Sequence, residues 1–181
     1  MTAVLVYAHP YPNRSRANRV LLAAVESLAG LRVRSLYDLY PDFGIDVRAE
    51  QAELTHADLV IWQHPMYWYS VPGLLKHWFD KVLARGWAYG EGGTALAGKR
   101  CLWVTTTGGD TRAFSPPGIH AYPFSAFVPH VEQTARFCGM RWLEPLVVHG
   151  AHRVDDSVLA DMAERYKQRV EGLMLEAGII G

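Results

Sequence analysis

Cysteine is scarce in this chain: Cys101 and Cys138 are the two among 181 residues. They form no CxxC or metal-type spacing, so there is neither a disulfide framework nor a cysteine-rich metal site to build on. Cys101 falls in an expected strand and Cys138 late in an expected helix. Both read as buried reduced thiols, the usage of a cytoplasmic protein. An excess of charge of one sign is also missing. Eighteen Lys and Arg offset eighteen Asp and Glu, so net charge points to neither nucleic acid nor an anionic membrane surface. No uncharged apolar run approaches the ~20 residues of a membrane span. The N-terminus lacks the charged start and long apolar stretch of a signal peptide. There is no GxGxxG, no GxxxxGK[ST] and no GxSxG around Ser70. Their absence leaves out the Rossmann dinucleotide fingerprint, the P-loop and the hydrolase elbow.

Half of the residues are hydrophobic and a fifth are charged, a globular balance with enough chain for one domain over residues 1–181. Six Trp and nine Tyr are many for this length, and core packing takes most such aromatics first. Ala57 to Asp80 shows where some do more. Asp58–Trp62 is an apolar run of strand length. Gln63–Tyr69 follows as a polar and aromatic loop. Then Ser70 and Pro72 suit a helix start, and Val71, Leu74, Leu75, Trp78, Phe79 and Val82 recur on one helical face. A loop of three large aromatics and a proline suits the holding of a flat ring.

The remaining chain repeats that alternation. Strands are expected at Ala3–Ala8, Leu31–Tyr37, Lys99–Thr106 and Trp142–His149. Helices are expected from Ser15 to about Ala29, over Asp46–Thr55, Pro123–Cys138 and Asp155–Ala177. Thr107–Tyr122 is a long loop of the kind that carries function. Five strands alternating with helices predict an α/β fold: a five-stranded parallel sheet of flavodoxin-like order 2-1-3-4-5, with helices on both faces. Such a sheet binds ligands outside the carboxyl ends of strands one, three and four.

Those three ends have complementary chemistry. His9–Asn18 leads into a helix N-terminus, whose free N–H groups and partial positive charge suit a phosphate. Ser15, Asn18, Arg14 and Arg16 add donors and charge. Pro65–Tyr69 suits a ring. Thr105–Gly109 offers hydroxyl donors and close backbone approach. Each alone is an ordinary helix cap, aromatic loop or turn; together they describe a flavin nucleotide, FMN or FAD. His120, in the loop beyond, can move a proton if it overhangs the ring. His149 and His152 form an HxxH without a third ligand, so no metal is expected. Asp42, Asp46 and Glu50 read as a solvated acidic face.

These residues carry a resemblance. Tyr7–Pro10, Ser15 with Asn18, Pro65–Tyr69, Pro72–Asp80, Thr106–Gly109, Gly118–His120 and Phe137–Gly139 run in the order found in the flavodoxin-like NAD(P)H:quinone oxidoreductases, the DT-diaphorase group. Leu39–Asp46 with Glu50-Gln51, Trp62–Pro72 and Gly86–Lys99 resemble more closely the ancillary oxidoreductases of bacterial glutathione-gated potassium efflux systems. The resemblance implies a noncovalent flavin, FMN with FAD the alternative, NAD(P)H as hydride donor and a quinone as acceptor in a ping-pong reaction. It further implies a cytoplasmic homodimer that docks on the cytoplasmic face of a potassium–proton antiporter. By position, His9, Ser15, Arg16, Ala17 and Asn18 would hold the phosphate. Pro65, Met66, Tyr67, Trp68 and Tyr69, with Thr106, Thr107, Gly108 and Gly109, would hold the ring, and His120 would be catalytic. The family pairs this histidine with a tyrosine, and Phe114 stands there instead. The competing readings are a docking subunit whose turnover is incidental and a stand-alone quinone or nitro reductase. A flavodoxin-type carrier fits poorly, because carriers are strongly acidic and this chain is neutral.

Overall fold

The computed structural model describes residues 2–181. Strands β1 (Thr2–Tyr7), β2 (Leu31–Ser35), β3 (Ala57–Pro65) and β4 (Arg100–Thr106) pair in parallel. The fifth position is shared by β5 (Arg141–Trp142) and β6 (Leu146–Val148), both paired with β4, so the order is β2-β1-β3-β4-β5 with β6 alongside. The expected single strand over Trp142–His149 is therefore broken. Pro145 sits in the break, and proline has no N–H to give the ladder.

Alternate strand residues build two cores. Val4, Val6, Val60, Trp62, Cys101 and Trp103 face one side. There they meet α2 (Leu36–Leu39), α3 (Val47–Thr55), α4 (Gly73–Val82) and α5 (Pro129–Phe137). Leu5, Ile61, Leu102 and Val104 face the other, covered by α1 (Ala17–Val25) and α6 (Asp156–Glu176). On α4, Leu74, Leu75, Trp78, Phe79 and Val82 are buried, each contributing about 1.5–3 kcal/mol of apolar burial.

Several sequence expectations shift. Ser15 does not cap α1, whose first turn receives no side-chain cap. Ser70 does not cap α4 either; Pro72 takes the cap position, and the Tyr37 hydroxyl accepts from the Leu74 N–H at 3.3 Å. The expected helix over Pro123–Cys138 splits into a 3-10 turn at Phe124–Phe127 and α5, which opens on Pro129. Strand β3 runs three residues beyond Trp62 because its polar end is paired inside the protein. Gln63 donates to the Asn18 carbonyl at 3.0 Å and accepts from Tyr166 at 3.1 Å. Glu50, expected on a solvated face, is buried at 1% exposure among Arg34, Tyr40 and Trp78.

Candidate active site

The carboxyl ends of β1, β3 and β4 are held level by two backbone bonds, Ala8 N–H to the Gln63 carbonyl at 3.0 Å and Met66 N–H to the Thr106 carbonyl at 2.8 Å. Two cavities open above them and share Met66 and Tyr67. A cavity of about 200 Å³ lies at the start of α1, lined by His9, Ser15, Arg16, Ala17, Asn18, Pro65, Met66, Tyr67 and Thr106 among others. These are the expected phosphate residues together with three of the five residues of the expected ring loop. The second, about 260 Å³, is lined by Met66, Tyr67, Trp68, Tyr69, Thr107, Phe114 and His120.

The first cavity suits an anion. With no side chain capping α1, the N–H groups of its first turn are left to a ligand, at the positive end of the helix. His9 is nearly buried, and its Nδ1 accepts from the Tyr11 N–H at 3.0 Å. That bond leaves Nε2 as the donor of the neutral ring, and burial pushes the His9 pKa down. Asn18 donates through Nδ2 to the Thr106 hydroxyl at 2.8 Å, while its buried Oδ1 has no partner. A buried acceptor left open beside a cavity fits a ligand hydroxyl, which the sugar-alcohol chain of a flavin nucleotide supplies. The residues thus fit the nucleotide.

The second cavity suits a ring. Tyr67 and Ser70 exchange two backbone bonds, 3.1 and 2.9 Å, closing a tight turn with Trp68 and Tyr69 at its centre. Trp68 is 93% exposed and stands over the cavity mouth. Across from it, His120 lies against the Phe114 ring, centroids 4.4 Å apart, and its Nδ1 is 3.3 Å from the Tyr69 hydroxyl. Thr107 donates its hydroxyl proton to the Gly109 carbonyl at 2.7 Å and sits 2.9 Å from His149 Nδ1. Burial lowers the His149 pKa, against the pull of Asp110.

Gly108 and Gly109 line neither cavity. Gly109 instead makes room for His120: a Cβ there would meet His120 Nε2 at 2.6 Å. Sequence reasoning missed Ala151 and His152, which line the first cavity from the loop after β6. An HxxH spacing signals metal binding, and nothing local shows that the turn at Gly150 carries His152 back over β4.

The flavodoxin-like fold family matches residues 1–170. The glutathione-regulated potassium-efflux system ancillary protein KefF of Klebsiella aerogenes is 52% identical over 92% of this chain and 93% of its own. Among solved structures, a thermophilic tryptophan halogenase from Streptomycin violaceusniger has a TM-score of 0.88 at 36% identity, covering 92% of this chain and 97% of that one. General stress protein 14 of Treponema denticola, in complex with FMN, has a TM-score of 0.84 at 28% identity over 99% and 100%. An NADPH-quinone reductase of P. pentosaceus has a TM-score of 0.83 at 29% identity over 93% and 97%. The chain belongs to the flavodoxin-like fold family and, within it, to the family of glutathione-regulated potassium-efflux ancillary proteins.

Proposed function

We propose that the protein is a single-domain, flavin-dependent NAD(P)H:quinone oxidoreductase that also serves as ancillary activator of a glutathione-gated potassium–proton antiporter. The observation that carries the reading is the pair of cavities that share Met66 and Tyr67, one lined by an uncapped helix start and the other by aromatic side chains. FMN, the ligand of the Treponema relative, suits that pair. When bound, the flavin supplies hydride transfer between a nicotinamide and a quinone. The antiporter role rests on the likeness to KefF. The halogenase shares the fold and lends no separate activity here.

The chain's own residues bind and orient. Ala17, Asn18 and Arg19 N–H groups, His9 Nε2, Ser15 and Arg16 hold the phosphate. Asn18 and Thr106 take the sugar-alcohol chain. Pro65–Tyr69 and Thr106–Gly109 wall the ring, and His120 faces it with Phe114 behind. Trp68 at the cavity and Ile119 and Tyr122 on either side of His120 in the chain are 93%, 87% and 62% exposed. In a homodimer they are covered by a second copy, which excludes water from the pocket. No helix among the described residues is long and apolar enough to cross a membrane, and the protein works in the cytoplasm, peripheral to its antiporter.

The test is spectroscopic. Purified protein is yellow or takes up FMN, bleaches with NADPH without air, and recolours with a quinone. Protein that binds neither FMN nor FAD overturns the reading.

A second reading, a docking module whose turnover is incidental, is favoured by exposed Leu39 and Phe43 (43% and 44%), the latter at a left-handed φ of 63°. They lie in the Leu39–Asp46 segment, which lines neither cavity. A variant changed at both Ser15 and Asn18 separates the two. Antiporter activation that survives loss of the flavin makes docking the function.

A further inference from the structure

Tyr69 and His120 come from different loops, 51 residues apart, and meet at the edge of the larger cavity. Their rings stand edge to face with centroids 5.6 Å apart, and the Tyr69 hydroxyl is 3.3 Å from His120 Nδ1. Each ring is backed by a separate phenylalanine. Phe127 stacks on Tyr69 at 5.2 Å and 23°, and Phe114 lies against His120 at 4.4 Å. Buried Phe114 also touches Phe124, Phe127 and His149, so the backing is part of a fixed aromatic cluster. The far edge of the imidazole rests against Gly109, where a Cβ would meet Nε2 at 2.6 Å. The backbone is bent to deliver the pair as well: Tyr69 has φ 62° and Ala121, next to His120, has φ 57°. Left-handed backbone is disfavoured at non-glycine residues and gathers where geometry serves function.

We propose that Tyr69 is the proton donor to the substrate and that His120 reloads it, an assignment that rests on the oxidoreductase reading above. Reduction of a quinone to a hydroquinone consumes one hydride and one proton. The hydride would be supplied from NAD(P)H through the bound flavin. Tyr69 gives its phenolic proton to the quinone oxygen that gains negative charge, breaking its own O–H bond as the substrate's O–H bond forms. The Tyr69 oxygen then takes a proton from His120 Nδ1 as His120 Nε2 takes one from water, so the imidazole stays neutral. One hydride and one water-derived proton balance each quinone reduced. Phe114 has no group that could share this task; it holds the imidazole at the right tilt.

Two variants and three readouts test the assignment. In Tyr69→Phe, stopped-flow reoxidation of the reduced, flavin-loaded protein by a quinone slows about 100-fold or more, the size of a lost proton donor. Anaerobic bleaching by NADPH slows far less than reoxidation, because that half-reaction needs no proton from Tyr69. In the flavin-free protein, the ¹⁵N resonance of His120 Nδ1 moves on Tyr69→Phe, since its hydroxyl partner is gone. Adding Phe114→Tyr to Tyr69→Phe returns a hydroxyl beside the same imidazole and restores part of the reoxidation rate. Unchanged reoxidation in Tyr69→Phe, or an unmoved Nδ1 resonance, overturns the assignment. Protein that loads flavin but never bleaches with NADPH overturns the oxidoreductase reading and this proton route with it. The ring-nitrogen signal reads the Tyr69–His120 bond in either case.

Discussion

Trp78 Nε1 donates to Glu50 Oε2 at 3.0 Å inside the core shared by α3 and α4. The other carboxylate oxygen accepts from Arg34 Nε at 3.0 Å, Arg34 Nη2 at 2.5 Å and the Tyr40 hydroxyl at 2.7 Å. Four donors surround a carboxylate that is 1% exposed, so the charge is tolerated because every contact answers it. Burial, and then Glu50, push the Tyr40 pKa up to about 12. The donors come from β2, α2's end and α4, so Glu50 ties α3 to three other elements.

Removing Glu50 leaves Arg34 and the Trp78 indole without their acceptor. Glu50→Ala is expected to cost about 3–5 kcal/mol and Glu50→Gln about 1–3 kcal/mol, read from urea unfolding at neutral pH. An alanine variant within about 1 kcal/mol of the parent would show that the cluster is replaceable by water.

His64 sets a pH dependence. Its Nε2 accepts from Trp103 Nε1 at 2.7 Å, and its Nδ1 is 2.9 Å from the Pro65 carbonyl, to which a neutral ring donates. Full burial lowers its pKa to about 4, against the Pro65 carbonyl and with His130 nearby. The unfolded chain therefore takes up a proton below about pH 6.5 that the folded protein refuses until about pH 4. Stability is fully present above pH 6.5 and falls on the order of 3 kcal/mol as pH drops through that window. His64→Asn, which keeps a donor toward Pro65, flattens the loss between pH 6.5 and pH 4. A parent whose unfolding midpoint does not move across this window would contradict the buried neutral ring.

Apolar periodicity made the strands and their order legible, because parallel strands buried on both faces read as continuous apolar runs. The helix start after β1 and the aromatic loop after β3 were legible for the same local reason. Polar residues with distant partners were not. Gln63 depends on Tyr166, 103 positions away, and Glu50 on Trp78, 28 positions away. Without those partners in view, one looked like the start of a loop and the other like surface. The Tyr69–His120 pair was hidden likewise. The sequence shows a phenylalanine at 114, and only the folded chain brings a hydroxyl from the turn after β3 to the histidine.

Asn18 is expected to govern flavin affinity more than stability. Its side chain reaches Thr106 and leaves an open acceptor in the smaller cavity. Asn18→Ala is expected to raise the FMN dissociation constant about 10–100-fold, one to two hydrogen bonds' worth, measured by quenching of flavin fluorescence. Unaltered affinity would place the nucleotide elsewhere.

The turn at Trp68-Tyr69 sets stability against function. Two residues between mutually bonded Tyr67 and Ser70, both with positive φ (48° and 62°), form the hairpin turn that ordinarily takes Asn-Gly. Each non-glycine residue there costs about 1–2 kcal/mol. Trp68, at 93% exposure, returns almost nothing in burial, and Tyr69 returns about 0.5–1.5 kcal/mol through its stacking on Phe127. The backbone is thus held in a conformation its side chains disfavour, and the side chains it displays line the larger of the two cavities above the sheet. Replacing the pair, Trp68→Asn with Tyr69→Gly, is expected to raise the unfolding free energy by about 1 kcal/mol while weakening FMN binding at least about tenfold and stopping recolouring by quinone. Urea unfolding of the flavin-free protein reads the first effect, and fluorescence titration with anaerobic reoxidation reads the second. A variant that is both less stable and still active would mean that the turn is relaxed and the aromatics are incidental; a gain in stability with loss of turnover means that this loop is shaped for the ring it holds.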